Sequence, residues 1–225
     1  MINTIFIQVP LRDGGQSYTE TNLHHIIVEP WNFVTALFFI VAAVYWIYKI
    51  RFRIKEFGFL FSMLILLLVG GIGGTIYHGF RLYRIFLMMD WMPIILITFS
   101  VSVYFFIKAW GKWWPPVLLF VIYFFVQGIL FRSSIPIQTT INISYASMAI
   151  IVLFPLVWYL KKTEFRNYQF ILAAIIFFTF ALFFRWADKF DWLMMGTHFL
   201  WHIFGLIAAN FIISFLYTLD HKKKI

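Results

Sequence analysis

Six histidines occur in this 225-residue chain, and three of them, His78, His198 and His202, stand in or beside long apolar stretches. An ionisable side chain inside such a stretch is costly if the stretch crosses a bilayer, so each asks for a reason. His198 and His202 are spaced i, i+4, which puts both on one face of a helix. Asp90 is the only acid between Glu56 and Glu164. Three imidazoles with a carboxylate have the composition of a catalytic zinc site, in which three protein ligands leave a fourth position for water. Such water is acidic enough to supply hydroxide near neutral pH. Interfacial histidines satisfied by backbone groups or lipid headgroups would use the same residue types. An HxxxH pair alone does not separate the two readings.

The composition supplies the elements that would carry these residues. Hydrophobic residues make up 63% of the chain and charged residues 12%, and the mean hydropathy is +0.87. Soluble domains run nearer roughly 45–50% apolar and 25% charged. This excludes a disordered chain, argues against an ordinary soluble enzyme and predicts a polytopic membrane protein. Seven apolar stretches can be marked, at about 31–48, 57–77, 85–107, 115–131, 141–160, 170–184 and 193–217. The expectation is an all-α protein of seven transmembrane helices over 31–217. An N-terminal extramembrane segment over 1–30 precedes them and a basic tail over 218–225 follows.

Lys and Arg number 18 and Asp and Glu 9, a net charge of +9. In a soluble chain that would suggest nucleic acid. Here the basic residues sit in short loops, so no nucleic-acid partner is expected. Lys49, Arg51, Arg53, Lys55, Lys108, Lys112, Lys161, Lys162, Arg166, Lys222, Lys223 and Lys224 fall on one side. Arg12, Arg81, Arg84, Arg132, Arg185 and Lys189 fall on the other. The positive-inside rule then predicts the N-terminus outside and the C-terminus inside. On that topology His78, Asp90, His198 and His202 share one depth near the outer face, which favours the metal reading. There is no cysteine, so neither disulfide nor thiolate ligand is available. The chain begins without a basic region and long apolar core, so no cleavable signal peptide is expected. The expected location is a bacterial inner membrane or a eukaryotic endomembrane.

Three short motifs, in order, carry a resemblance. GGTIYH ends helix two, MMDW opens helix three and THFLWHIFG lies in helix seven. Together they resemble the alkaline ceramidase family, part of a wider superfamily of seven-helix membrane hydrolases that includes the adiponectin receptors. The resemblance spans essentially the whole chain in topology and is specific at these motifs. It implies zinc held by His78, His198 and His202, with Asp90 as the catalytic acid and base. The implied reaction is hydrolysis of a lipid amide, ceramide first, to a sphingoid base and a fatty acid. The family carries a Ser four residues before the first His, where Gly74 stands here. Thr75, also on the His78 face, is the expected substitute and would assist the oxyanion. A non-catalytic, zinc-containing receptor or lipid sensor is the alternative that the missing Ser favours. A zinc hydrolase of another lipid is a second. A transporter would place its polar residues near the midplane, often on broken helices, and here they gather at one interface.

The stretch SYTETNLHHIIVEPWN, from Ser17 to Asn32, is similar to the family's calcium-binding segment. That similarity implies calcium on Glu20, Asn22, Glu29 and the Tyr18 carbonyl, with Ser17 in place of a leading Asp. Calcium takes six to eight oxygens. Read without the resemblance, the stretch is a solvated loop with an acidic start to the first helix, which the helix dipole favours.

The remaining polar residues read more plainly. Arg185, Asp188 and Asp191 bracket the loop before helix seven, as surface ion pairs or as a mouth for a polar headgroup. Gln127, Asn142, Ser144, Ser147 and Asn210 are expected to bond between helices. Gly70, Gly71, Gly73 and Gly74 allow close helix approach and lack the Lys-Ser/Thr of a phosphate loop. His24 and His25 are expected in a loop, and the terminal HKKKI as an inside anchor resembling a dilysine signal. Oligomeric state has no sequence signature here.

Overall fold

The computed structural model describes residues 11–221, and the described residues are helical without strands. The helices are α1 Pro30–Ile50, α2 Gly58–Phe80, α3 Arg84–Trp110, α4 Trp114–Leu130, α5 Ile137–Lys162, α6 Tyr168–Ala187 and α7 His198–His221. A single 3₁₀ turn, Asp188–Phe190, follows α6. Six helices are long and apolar enough to cross a membrane, and α4, at 17 residues, is a shorter apolar helix. The seven expected stretches are therefore the seven helices, and their apolar character makes this a multi-pass membrane protein in its architecture. Of the basic tail expected over 218–225, residues 218–221 continue α7, and residues 222–225 lie outside the described residues, as do residues 1–10.

The helix ends follow local chemistry. Pro30 sits at the start of α1, where its missing N–H costs nothing. Gly111, at φ +69°, closes α3 in the left-handed conformation. Pro93 and Pro155 lie inside α3 and α5, where each removes one backbone hydrogen bond and favours a kink. Two boundaries differ from expectation. Helix α3 starts six residues before Asp90, so Asp90 belongs to its second turn rather than its opening. Helix α7 starts at His198 and not near 193, because Asp188 caps it there. The Asp188 carboxylate accepts the backbone N–H of Thr197 (2.6 Å) and of His198 (3.0 Å).

Neighbouring helices close into a ring in the order α1, α2, α3, α5, α6, α7, with α7 returning to α1. Helix α4 packs against α3 and α5. The main apolar core, including Trp46, Phe57, Leu64, Phe105, Leu156 and Phe215, joins α1, α2, α3, α5 and α7 toward the end opposite the histidines. The glycine run provides the expected close approach. A Cβ on Gly71 would come within 2.9 Å of Ile40 in α1, and one on Gly73 within 2.2 Å of Met89 in α3. Two of the expected interhelical bonders do bond across helices: Asn210 accepts from the Trp46 indole at 2.9 Å, and Ser144 pairs with the Tyr123 hydroxyl. Ser147 instead donates to Ile143 of its own helix.

Candidate metal centre

The C-terminal end of α2 and the N-terminal end of α7 bring His78, His198 and His202 together. One ring nitrogen from each lies within 4.8 Å of the others, and all three side chains are buried. Among the described residues this is the one cluster of three or more metal-ligating side chains.

Two of the rings are held from behind. His78 Nδ1 stands 2.5 Å from Glu29 Oε2, and its other nitrogen, Nε2, is buried with no hydrogen-bond partner. His202 Nδ1 stands 2.9 Å from the Thr35 hydroxyl. That hydroxyl lies 2.8 Å from the Trp31 carbonyl, to which it donates. A hydroxyl has one proton; with it donated to Trp31, Thr35 can accept from His202 Nδ1–H, an arrangement that frees the Nε2 lone pair. The Nδ1 of His198 is also buried without a partner. Orphaned buried nitrogens are expensive, and a carboxylate behind a histidine is the usual support of a metal-bound imidazole. Three imidazoles without thiolate form a donor set that could hold a transition-metal ion, zinc among them.

Asp90 approaches the same place from α3. A Cβ built on Gly74 would lie 2.4 Å from Asp90 Oδ1. The Asp90 carboxylate therefore fills the space that a side chain at position 74 would claim, one helical turn from His78. The hydroxyl expected as substitute, that of Thr75, is buried and donates to the Gly71 carbonyl of its own helix at 2.7 Å. Such back-bonding satisfies a hydroxyl inside an apolar helix.

Asp90, His198 and His202 line a cavity of about 1030 Å³ to which all seven helices contribute. Its wall continues along α7 as far as Leu216, which at 1.5 Å per residue is about 27 Å of helix. Most of the lining is apolar, with Phe39, Leu67, Ile94 and Phe178 representative. The polar exceptions gather near the histidines. Arg185 is buried and lies between the rings of Tyr145 and Trp201, 5.4 and 5.5 Å from their centroids. It faces the cavity, so the surface-pair expectation for it is corrected. Asp188 is likewise buried, as the α7 cap, while Asp191 accepts from Thr19. Gln127 lines the cavity with both amide atoms unpartnered.

The N-terminal segment closes the histidine end. Tyr18 stacks on His198, with ring centroids 3.9 Å apart, and lies 5.5 Å from His78. Thr19 ties this segment to the α7 cap through its backbone N–H, which donates to Asp188 Oδ2 at 3.2 Å. The oxygens expected to hold calcium have protein partners. Glu20 accepts the backbone N–H of Trp31 (2.9 Å) and Asn32 (2.7 Å), so it caps α1. Asn22 accepts from the His24 backbone. Glu29 is bound by Arg81, Thr21 and His78. Burial pushes the Glu20 carboxyl up to about 7, against the pull of its two backbone donors. Burial likewise pushes Glu29 up to about 7, with Arg81 acting in the opposite direction. The Tyr18 hydroxyl is raised by burial.

Thr35, Asp13 and Arg81 were not legible as site residues in the sequence. Thr35 left a faint signal, a hydroxyl on the apolar α1 a few residues beyond Glu29. Asp13 and Arg81 are 68 residues apart, and no local spacing joins them.

No family model, curated protein or solved structure matches this chain.

Proposed function

We propose that this chain is a zinc-dependent intramembrane hydrolase of lipid amides, with ceramide as first substrate, oriented with its histidine end outside. The observation that carries the reading is the buried triad of His78, His198 and His202 in and beside the wall of a long apolar cavity that also receives Asp90. A zinc ion on these three imidazoles supplies Lewis acidity toward a carbonyl and a hydroxide nucleophile near neutral pH. The chain supplies the rest. Glu29 and Thr35 fix the ring orientations of His78 and His202. The cavity binds the acyl chains and excludes water from them. Asp90 takes the proton of the attacking water and passes it to the leaving amine. Tyr18 closes the site toward the N-terminal segment. Thr75 has no part in this scheme, since its proton is spent on Gly71.

The test is mass spectrometry of products from purified, zinc-loaded protein given ceramides, phospholipids and N-acyl amines, with a chelator-treated control. Chelator-sensitive release of a sphingoid base and fatty acid is expected. Fatty acid from phospholipid alone would move the substrate to an ester. A second reading, a zinc-containing lipid sensor without turnover, draws on Gly74: α2 sends no hydroxyl from that position. Zinc bound at one per chain with no product from any lipid would select it.

A further inference from the structure

Arg81 is the least expected residue of the histidine end. It ends α2 in the left-handed conformation at φ 52°, which disfavours any side chain. Its own side chain is nevertheless fully buried. Around the guanidinium stand four oxygens from three residues. Nε donates to Asp13 Oδ2 at 2.6 Å and Nη2 to Asp13 Oδ1 at 3.2 Å. Nη2 also donates to the Gln16 carbonyl at 2.8 Å, and Nη1 donates to Glu29 Oε1. The Tyr77 ring lies against the same group, 4.4 Å from its centre. Asp13 and Glu29 are both fully buried. Two buried carboxylates and a carbonyl converging on one point is the donor set of a hard divalent cation, yet here a side chain of the chain itself occupies that point.

We infer that Arg81 is the built-in cation of the N-terminal segment, holding Asp13, Gln16 and Glu29 together where a bound calcium ion would otherwise be required. Through Asp13 and Gln16 it anchors the segment that lays Tyr18 over His198. Through Glu29 it fixes the carboxylate behind His78. Arg81 is thus a positioning residue: it touches none of the metal-ligating rings and acts through the groups it gathers. A consequence is that the protein assembles this end without calcium. This inference stands on the ion network alone and does not require the hydrolase reading.

The test is Arg81→Gly in the intact protein. Glycine takes the φ of position 81 without strain, so the backbone is not disturbed and only the cation is removed. Thermal unfolding in detergent is followed during titration with Ca²⁺ and, separately, Mg²⁺. Wild type should show no shift with either ion and no ⁴⁵Ca²⁺ binding by equilibrium dialysis. Arg81→Gly should unfold about 10 °C lower, because two buried carboxylates lose their partner. Millimolar Ca²⁺ should restore much of that loss in the variant. Adding Asp13→Asn to the same chain should abolish the restoration, while Arg81→Lys should lie between wild type and Arg81→Gly without calcium. Mg²⁺ should restore less, since it demands a tighter octahedral site. One Ca²⁺ bound per wild-type chain, or a folded Arg81→Gly protein indifferent to Ca²⁺, would overturn the inference. If Arg81→Gly yields no folded protein, the wild-type dialysis still decides it. None of these readouts uses lipid turnover, so failure here and failure of the hydrolase reading are distinguishable.

Discussion

The end of the bundle that holds the histidines and the α4–α5 side of the cavity are built in opposite ways. At the histidine end, side chains from several elements meet in directed polar contacts: Glu29 serves His78, Thr35 serves His202, Asp188 of the 3₁₀ turn caps α7, and Arg81 closes on Asp13 and Glu29. Along α4 and α5, Phe124, Phe131, Ile137 and Ile150 line the cavity while remaining exposed, and α4 packs mainly against α3 and α5. The first region fixes groups to within hydrogen-bond tolerance. The second offers apolar surface whose exact placement matters little, since dispersion and lipid-like contacts are non-directional. Position-sensitive chemistry therefore belongs to one end, and chain-length tolerance to the other.

The sharpest way to break that contrast is to remove a ligand. His198→Ala should abolish turnover and bound zinc together, measured by product release and elemental analysis of the same preparation. Retained activity with folded protein would erase the distinction. A smaller effect is expected one step back from the metal. Glu29→Gln keeps the shape and loses the charge behind His78, and should cost about 10–100-fold in metal affinity or activity, read by competition with a zinc-binding dye. Next comes Gly74→Ser. The family resemblance would make this a gain, because it restores the missing hydroxyl. The geometry predicts a loss, because the new Cβ would stand 2.4 Å from Asp90 Oδ1. Overpacking at about 1–3 kcal/mol should lower kcat roughly tenfold or more with zinc content unchanged. The smallest effect is expected across the cavity. Tyr123→Phe removes the bond to Ser144 between α4 and α5 and should leave turnover within about twofold, since an interhelical hydrogen bond in a membrane protein averages ~0.6 kcal/mol. A large loss there would mean that the α4–α5 side positions substrate as firmly as the histidine end.

The seven helices and the histidine triad were legible because each has a local signature. Apolar runs of spanning length mark the helices, and the HxxxH spacing with one earlier histidine marks the triad once topology places them at one depth. What surrounds the triad was not legible, for a physical reason. Asp13, Arg81 and Glu29 meet across 52 and 68 residues of sequence; Asp13 and Arg81 each read alone as a loop charge, and Glu29 as a calcium ligand or an acidic helix start. Asp188 likewise reads as a surface acid until the backbone N–H groups of Thr197 and His198 turn toward it. The residues expected to hold calcium show the same limit: spacing does not tell that Glu20, Asn22 and Glu29 also meet a helix N-terminus, a loop N–H and an arginine. Thr75 shares the His78 face by helical spacing, but spacing does not say which acceptor its hydroxyl will choose.

X-ray absorption at the zinc edge, on purified, detergent-solubilised protein, reads the histidine triad's ligation itself. The triad predicts one zinc per chain in a first shell of three imidazole nitrogens at about 2.0–2.1 Å with a further light-atom ligand, and loss of the imidazole signature in His198→Ala. Protein that binds no zinc after reconstitution, or zinc with fewer than two imidazoles in its shell, would contradict the account.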